Sequence, residues 1–161
     1  MSTNTLQVST PSDREVAMTR VFDAPRALVY EALTNPELLR RWFSGPPGWS
    51  LTVCEADLRV GGTYRNVWRG PDGTEMGLSG VYQIVEPPAR IVATEAFDQA
   101  WYPGEAVSSI VLVEHDGQTT LTMTVRYDSK ETRDMVLQTP MAEGVSYGYS
   151  KLAELLATLP R

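Results

Sequence analysis

The sequence predicts a single α+β domain in which a curved antiparallel sheet of about seven strands wraps a long C-terminal helix. Two observations indicate this architecture. Alternating runs separated by turn residues fill the stretch from Leu51 to Tyr127, and a helical apolar stripe begins after Pro140. An antiparallel sheet with one apolar face needs a cover, and the C-terminal helix is the element that can supply it. The length of 161 residues fits one domain.

The elements before residue 50 are one strand and two short helices. Arg14–Phe22 alternates and predicts the strand. Asp23-Ala24-Pro25 follows with a capping residue and a proline, which favours a helix start because the fixed φ of proline suits the first turn. This helix stops before Asn35-Pro36, and a second short helix ends at Gly45-Pro46-Pro47-Gly48.

Six further strands and their turns account for the middle of the chain. The predicted strands are Leu51–Leu58, Gly62–Arg69, Thr74–Val85, Ile91–Phe97, Val107–His115 and Gln118–Tyr127. Asp116-Gly117 lies between the last two, and its glycine accepts the positive φ of a tight hairpin. In the last strand Leu121, Met123, Val125 and Tyr127 share one face, which predicts a sheet with one buried side.

The rest of the chain predicts helix, a short one around Glu131–Leu137 and a long one over about Pro140–Leu159. Apolar residues recur at helical spacing on the long helix and form one stripe about 30 Å in length. Gly144 and Gly148 interrupt its first half one turn apart. Close packing on the sheet and room for a ligand both explain such a pair, and the sequence leaves the two open.

Composition limits the location of the protein and its partners. Residues 1–12 are polar, without a basic start or a continuous apolar run, so we expect a flexible tail there and a single domain over 13–161. The only cysteine, Cys54, has no companion thiol, which fits a reducing compartment and predicts a cytoplasmic protein. The net charge of −6 disfavours binding to nucleic acid and to anionic membranes.

No motif specifies catalysis, a metal site or a cofactor. The one histidine, His115, precedes the Asp116-Gly117 turn and is expected at the surface. Without a second histidine, a Ser-His-Asp or Cys-His arrangement is hard to assemble, and no spacing typical of zinc ligands is present. Cys54 lies in a predicted strand and is expected to be a buried, inert thiol.

Several short motifs follow one another along the chain. They are Val21-Phe22-Asp23-Ala24-Pro25, Leu33-Thr34-Asn35-Pro36-Glu37, Arg41-Trp42-Phe43, Asp57-Leu58-Arg59-Val60-Gly61-Gly62, Gly70-Pro71-Asp72-Gly73, Gly80-Val81-Tyr82, Glu86-Pro87-Pro88-Ala89-Arg90-Ile91 and Gly144 with Leu152-Ala153-Glu154-Leu155-Leu156. Together these motifs resemble the START-like (SRPBCC) superfamily, and within it the branch named after the activator of the heat-shock protein 90 ATPase. The resemblance spans about residues 14–159 and implies a helix-grip fold. That plan serves lipid carriers, hormone receptors, polyketide cyclases and co-chaperones, so it implies no single function. Members commonly have Trp where this chain has Val145.

Large semi-polar side chains are the main candidates for ligand contact. Trp and Tyr offer an apolar body with one hydrogen-bonding tip, which suits an amphipathic ligand in a cavity between sheet and helix. Glu95 alternates with Ile91, Ala93 and Phe97, so it would face that cavity with a pKa raised by desolvation. The predicted ligand-binding residues are Trp42, Trp68, Met76, Glu95, Trp101, Met141, Val145 and Tyr149.

Three functional hypotheses follow. The favoured one is a non-catalytic carrier, or a sensor with a stress-related role, for a small apolar or aromatic molecule. The second is a cofactor-free enzyme of the cyclase or hydratase type, with Glu95 and Tyr82 as proton-transfer groups. The third is a protein–protein role. A chaperone contact is disfavoured because the chain has only this domain, and a homodimer through an exposed strand edge stays open.

Overall fold

The computed structural model describes residues 5–161 and contains, within that range, one antiparallel sheet of eight strands. Strands β1 to β8 in chain order are Gln7–Ser9, Glu15–Phe22, Ser50–Ala56, Thr63–Arg69, Glu75–Glu86, Arg90–Phe97, Ala106–His115 and Gln118–Arg126. Their order across the sheet is β1-β2-β8-β7-β6-β5-β4-β3. Strands β3 to β8 are therefore each beside their neighbour in sequence, and β8 returns beside β2.

Four helices accompany the sheet in the described range: α1 Arg26–Thr34, α2 Pro36–Trp42, α3 Lys130–Leu137 and α4 Met141–Thr158. Asn35 caps α2 by accepting the Glu37 N–H, and Ser129 caps α3 by accepting the Thr132 N–H. None of these helices is long and apolar enough to cross a membrane. The α+β architecture and the long C-terminal helix confirm the predicted fold class.

The main difference from the sequence prediction is β1, which lies within the expected flexible tail. Gln7–Ser9 pairs antiparallel with residues 17–19 of β2. All three β1 side chains are exposed, so no apolar alternation marks the strand. Its pairing comes from backbone groups at the otherwise free edge of β2. This part of the tail assignment is corrected to sheet, and residues 1–4 of the same prediction lie outside the described residues.

The interior between sheet and helices holds three hydrophobic clusters. The first, beneath α4, includes Phe22, Leu112, Leu121, Leu152 and Leu156. The second includes Val16, Met18, Tyr102, Val125, Tyr127 and Val136. The third contains Leu51, Cys54, Trp68 and Leu78.

Half-buried side chains mark the places where these clusters meet. Met123 and Val145 pack against both the first and the second cluster, and Phe97 packs against the second and the third. All three keep partial exposure to solvent although they face the interior. We call these residues the interior seam. The interior seam therefore connects the three clusters through side chains that are only partly shielded from solvent.

The N-terminal half of α4 is less tightly packed than the C-terminal half. Its buried residues begin at Tyr149, whereas Met141 and Val145 are half-buried. A Cβ added at Gly148 would make ordinary contact with the Trp42 ring at 3.9 Å, and a Cβ added at Gly144 would meet no atom within 4 Å. Close packing therefore does not explain Gly144, which borders open space.

Gly144→Ala is expected to raise the free energy of unfolding by about 0.5–1 kcal/mol, because alanine restricts the unfolded chain and nothing obstructs its methyl group. Urea denaturation of the variant and the parent measures the difference. The reverse change on the same helix, Ala142→Gly, should lower stability by a similar amount. A loss of stability in Gly144→Ala would contradict the open surroundings described for this residue.

Candidate functional site

Glu95 lies on the interior face of β6, as the alternation predicts. Strand β6 pairs with β7 so that Glu95 stands opposite Ala106. The Tyr102 hydroxyl donates to Glu95 Oε1 over 3.2 Å, and Tyr102 itself is a member of the second cluster. The residue keeps some exposure, but its carboxyl group is surrounded by protein atoms, and this desolvation raises the pKa of Glu95 above its ordinary value of 4.5.

An interruption in the β5–β6 ladder lies next to this carboxylate. Opposite Gly80 and Val81 the backbone pairing between β5 and β6 stops, and hydrogen bonds that involve side chains replace it. The Val81 N–H donates to Thr94 Oγ1 over 2.9 Å, and the Tyr64 hydroxyl donates to the Thr94 carbonyl oxygen over 2.7 Å. A Cβ on Gly80 would overlap both that carbonyl and the Tyr64 ring. The glycine therefore allows the Tyr64 hydroxyl to lie beside the strand that carries Glu95.

Three tyrosines surround the carboxylate. Burial is the largest cause that raises the pKa of Tyr64, Tyr102 and Tyr127, and the charge of Glu95 raises each of them further. The rings of Tyr102 and Tyr127 meet edge-to-face, with centroids 5.2 Å apart. The Tyr127 hydroxyl donates to Met141 Sδ over 3.6 Å, which ties α4 to the group. We call these five residues the Glu95 cluster.

The loop between β6 and β7 supplies the Tyr102 side chain and an aromatic rim. Trp101 remains 37% exposed, whereas Tyr102 turns inward and is buried. The Trp101 ring packs edge-to-face on Phe97 at 5.8 Å and on Tyr102 at 4.9 Å between centroids. Gly104, at φ 81°, allows the chain to pass close to Asp128. The predicted candidates Trp101 and Met141 thus lie at the Glu95 cluster.

Other predicted ligand-binding residues lie elsewhere in the interior. Trp42 is buried and donates its indole N–H to the Ala32 carbonyl, and Trp68 is buried and donates to the Phe43 carbonyl. Met76 packs against the third cluster together with Trp68. Because both indole N–H groups bond to the backbone, these contacts favour a structural role for the two tryptophans.

The two remaining candidates lie on α4. Val145 belongs to the interior seam described above. Tyr149 is buried, its ring meets Phe22 edge-to-face at 5.7 Å, and its hydroxyl donates to Met123 Sδ over 3.8 Å. Burial raises the pKa of Tyr149. Tyr149 therefore contacts Met123, a residue of the interior seam.

The structure does not bring Tyr82 and Glu95 together as a hydrogen-bonded pair. Tyr82 contacts the Tyr64 ring at 5.5 Å between centroids, and burial raises its pKa to about 12. The tyrosine that bonds to Glu95 is Tyr102. Tyr64, Tyr102 and Tyr127 are not among the residues that the sequence predicts for the site. Alternation could have identified Tyr127, which directly follows β8 and continues its buried face, but the position of Tyr102 depends on the path of a loop.

The remaining reactive side chains lie apart from the cluster. Cys54 is buried, and this desolvation raises the pKa of its thiol, which favours the inert form. His115 is 88% exposed at the β7–β8 hairpin. Within residues 5–161, no three potential metal ligands are grouped closely enough to hold an ion.

The sheet, the C-terminal helix and the interior between them define a helix-grip protein of the START-like superfamily. Residues 23–157 match the family described as activator of Hsp90 ATPase homolog 1-like protein, and the chain belongs to this family. No curated protein matches the chain.

Solved structures support the same assignment. A protein from Rhodobacter sphaeroides is 34% identical with a TM-score of 0.91, and the match covers 96% of this chain and 99% of that one. A Mycobacterium smegmatis protein is 27% identical with a TM-score of 0.81, covering 96% and 98%. A Nitrosomonas europaea protein is 26% identical with a TM-score of 0.80, covering 92% and 97%.

Proposed function

We propose that the protein binds a small apolar or aromatic molecule between the interior face of the sheet and the N-terminal half of α4, and that it acts as a carrier or sensor of that molecule. The observation that carries this proposal is the Glu95 carboxylate, which is desolvated among aromatic side chains on the interior face of the sheet. Binding sites for small molecules typically combine apolar walls with a few placed polar groups.

Two further features support the proposal. Met123, Val145 and Phe97 form the half-buried interior seam beside the Glu95 cluster, so partly exposed apolar side chains lie next to the polar group. The family belongs to a superfamily in which small hydrophobic ligands are common, which agrees with an apolar ligand in this chain.

Val145→Trp is expected to abolish binding, because an indole at the interior seam fills the space that the ligand needs. A panel of apolar and aromatic molecules is screened by thermal shift against the parent chain, and each molecule that raises the melting temperature is retested on the variant. The matched control is Val113→Trp, which places the same indole on an outward position that is 58% exposed.

The proposal requires that the control keep the ligand-induced rise while Val145→Trp loses it. If no apolar or aromatic molecule stabilises the parent chain, the proposal is wrong. If ligands stabilise both tryptophan variants equally, the molecule binds elsewhere on the surface.

The second candidate function is cofactor-free proton transfer on the bound molecule. The burial of the Glu95 carboxyl group favours this candidate, because desolvation holds its pKa above its ordinary value and closer to neutral pH, and outweighs the opposite effect of the Tyr102 hydrogen bond. NMR in deuterated water tests it. A proton-transfer site would exchange carbon-bound hydrogen of a bound ligand in the parent chain, and Glu95→Gln should suppress the exchange. Tight binding without any exchange supports the carrier role instead.

A further inference from the structure

The hydrogen bonds of the Glu95 cluster leave it with acceptors and almost no free donors. A carbonyl oxygen and a thioether sulfur only accept, so Tyr64 must donate its proton to Thr94 and Tyr127 must donate its proton to Met141. An ionised carboxylate likewise only accepts, so Tyr102 donates to Glu95. What remains for a ligand is the second carboxylate oxygen and the lone pairs of the phenol oxygens.

Within residues 5–161 the Glu95 carboxylate has no positive partner. Its single hydrogen-bond partner in that range is the Tyr102 hydroxyl, and neither a lysine nor an arginine bonds to it. A desolvated carboxylate without a cation is unfavourable, and an incoming positive group would relieve that state. The cluster therefore favours a ligand that brings the missing charge.

The aromatic groups around the carboxylate favour the same charge. Tyr102 is packed edge-to-face by Phe97 at 6.1 Å, Trp101 at 4.9 Å and Tyr127 at 5.2 Å between ring centroids. The faces of such rings carry negative electrostatic potential and attract ammonium groups. Rings and a carboxylate in one desolvated site form a typical receptor for an organic cation.

A second acidic residue lies near the cluster. Burial raises the pKa of Tyr64 most, followed by the charges of Glu95, Tyr82 and Glu105. Glu105 is exposed, directly before β7, and Asp128 is exposed where the neighbouring loop passes Gly104. The surroundings of the cluster therefore add negative potential to that of Glu95.

We propose that the ligand of this site is an amphipathic amine, with a protonated primary or secondary amino group bound between Glu95 and the tyrosine oxygens and with an apolar or aromatic body along the interior seam. This proposal rests on the proposed ligand-binding function and specifies its chemical class. An ammonium group supplies the donors and the charge that the cluster lacks, and the half-buried residues Met123 and Val145 accept the apolar body.

Three probes of similar length and different charge test the proposal: phenylbutylamine, phenylbutanol and phenylbutyrate. Isothermal titration calorimetry is carried out at about pH 8, where an alkylamine keeps its proton and Glu95 is more fully ionised than at neutral pH. The amine is expected to bind at least about tenfold more tightly than the alcohol, because a charged hydrogen bond replaces a neutral one. The carboxylate probe should bind most weakly.

Glu95→Gln is expected to remove the preference for the amine, so that the affinities of the amine and the alcohol for the variant differ by no more than about threefold. The matched control is Glu75→Gln, which removes the same charge from an exposed position at the start of β5 and should keep the preference. If the preference for the amine came only from the net charge of the protein, both variants would reduce it equally.

The possible results separate the two proposals. If the alcohol binds as tightly as the amine, or more tightly, the amine proposal is overturned and the apolar site stands. If Glu95→Gln keeps the amine preference, the ammonium lies elsewhere and the proposal is also overturned. If none of the three probes binds at millimolar concentration while molecules of the thermal-shift panel do, the amine class is wrong. If neither set binds, both proposals fail.

Discussion

Glu95→Gln is expected to stabilise the folded chain at neutral and alkaline pH, and this gain should disappear in acid. The glutamine amide has the shape of the carboxyl group and still offers an oxygen to the Tyr102 hydroxyl, but it carries no charge to desolvate. The variant therefore removes an unfavourable burial of charge and keeps the hydrogen bond.

The direction of the pH dependence follows from the raised pKa of Glu95. Between 4.5 and the higher folded-state pKa, the folded chain retains a proton that the unfolded chain has released. The unfolded state binds fewer protons there, so the contribution of Glu95 to stability falls as pH rises through this window. Below the window both states are protonated, and the parent and the variant should be equally stable.

Urea denaturation at several pH values between about 4 and 8 measures this difference. Glu75→Gln is the control, because an exposed carboxylate should change stability by no more than about 0.5 kcal/mol at any pH. A Glu95→Gln variant that is less stable than the parent chain at pH 8 would show that the ionised carboxylate is favourably placed. In that case the amine proposal loses its main physical basis.

The fold was accessible from the sequence because its signals are local and agree with one another. Each of the six strands from β3 to β8 is bounded by turn residues such as Asp116-Gly117, and the apolar stripe of α4 has a length that only a long helix fits. These signals need no knowledge of the tertiary structure. Strand β1 lacked any such signal, because its pairing uses backbone groups and its side chains all face solvent.

Only part of the site could be predicted from the sequence. The period of two on β6 placed Glu95 on the same face as Phe97, and this placement agrees with the Tyr102 bond. The sequence could not predict which tyrosine reaches the carboxylate. That choice depends on the β6–β7 loop, and the bond from Tyr64 to Thr94 depends on an interrupted ladder at Gly80. Both are long-range features without a local pattern.

Aromatic residues illustrate the same limit. Trp42 and Trp101 were selected for the same reason, yet the indole N–H of Trp42 is bonded to a helix carbonyl and Trp101 remains partly exposed beside the cluster. Composition shows only that such side chains are present. Their packing in the structure shows which of them keep a surface that a ligand could contact.

Arg133→Met is expected to lower the free energy of unfolding by about 2–4 kcal/mol, which is the range for losing hydrogen bonds from a buried charged donor. Arg133 lies on α3, is 8% exposed, and donates from Nη1 to the Ser12 carbonyl over 2.7 Å and to the Glu15 carbonyl over 3.3 Å. Its Nε also bonds to Asp134 over 2.9 Å. The side chain therefore joins α3 to the segment that leads into β2.

For a chain of this length, such a loss should lower the melting temperature by about 4–16 °C. Lys130→Met provides the matched control, because Lys130 pairs with the same Asp134 but is 55% exposed, and a surface ion pair contributes only about 0–1 kcal/mol. Hydrogen exchange locates the effect. We expect the amides of β1 and of the start of β2 to lose protection in Arg133→Met, since the strand that the sequence did not predict is held at an edge that Arg133 helps to fix. Equal stability of the two methionine variants would show that the backbone contacts of Arg133 contribute no more than the surface pair.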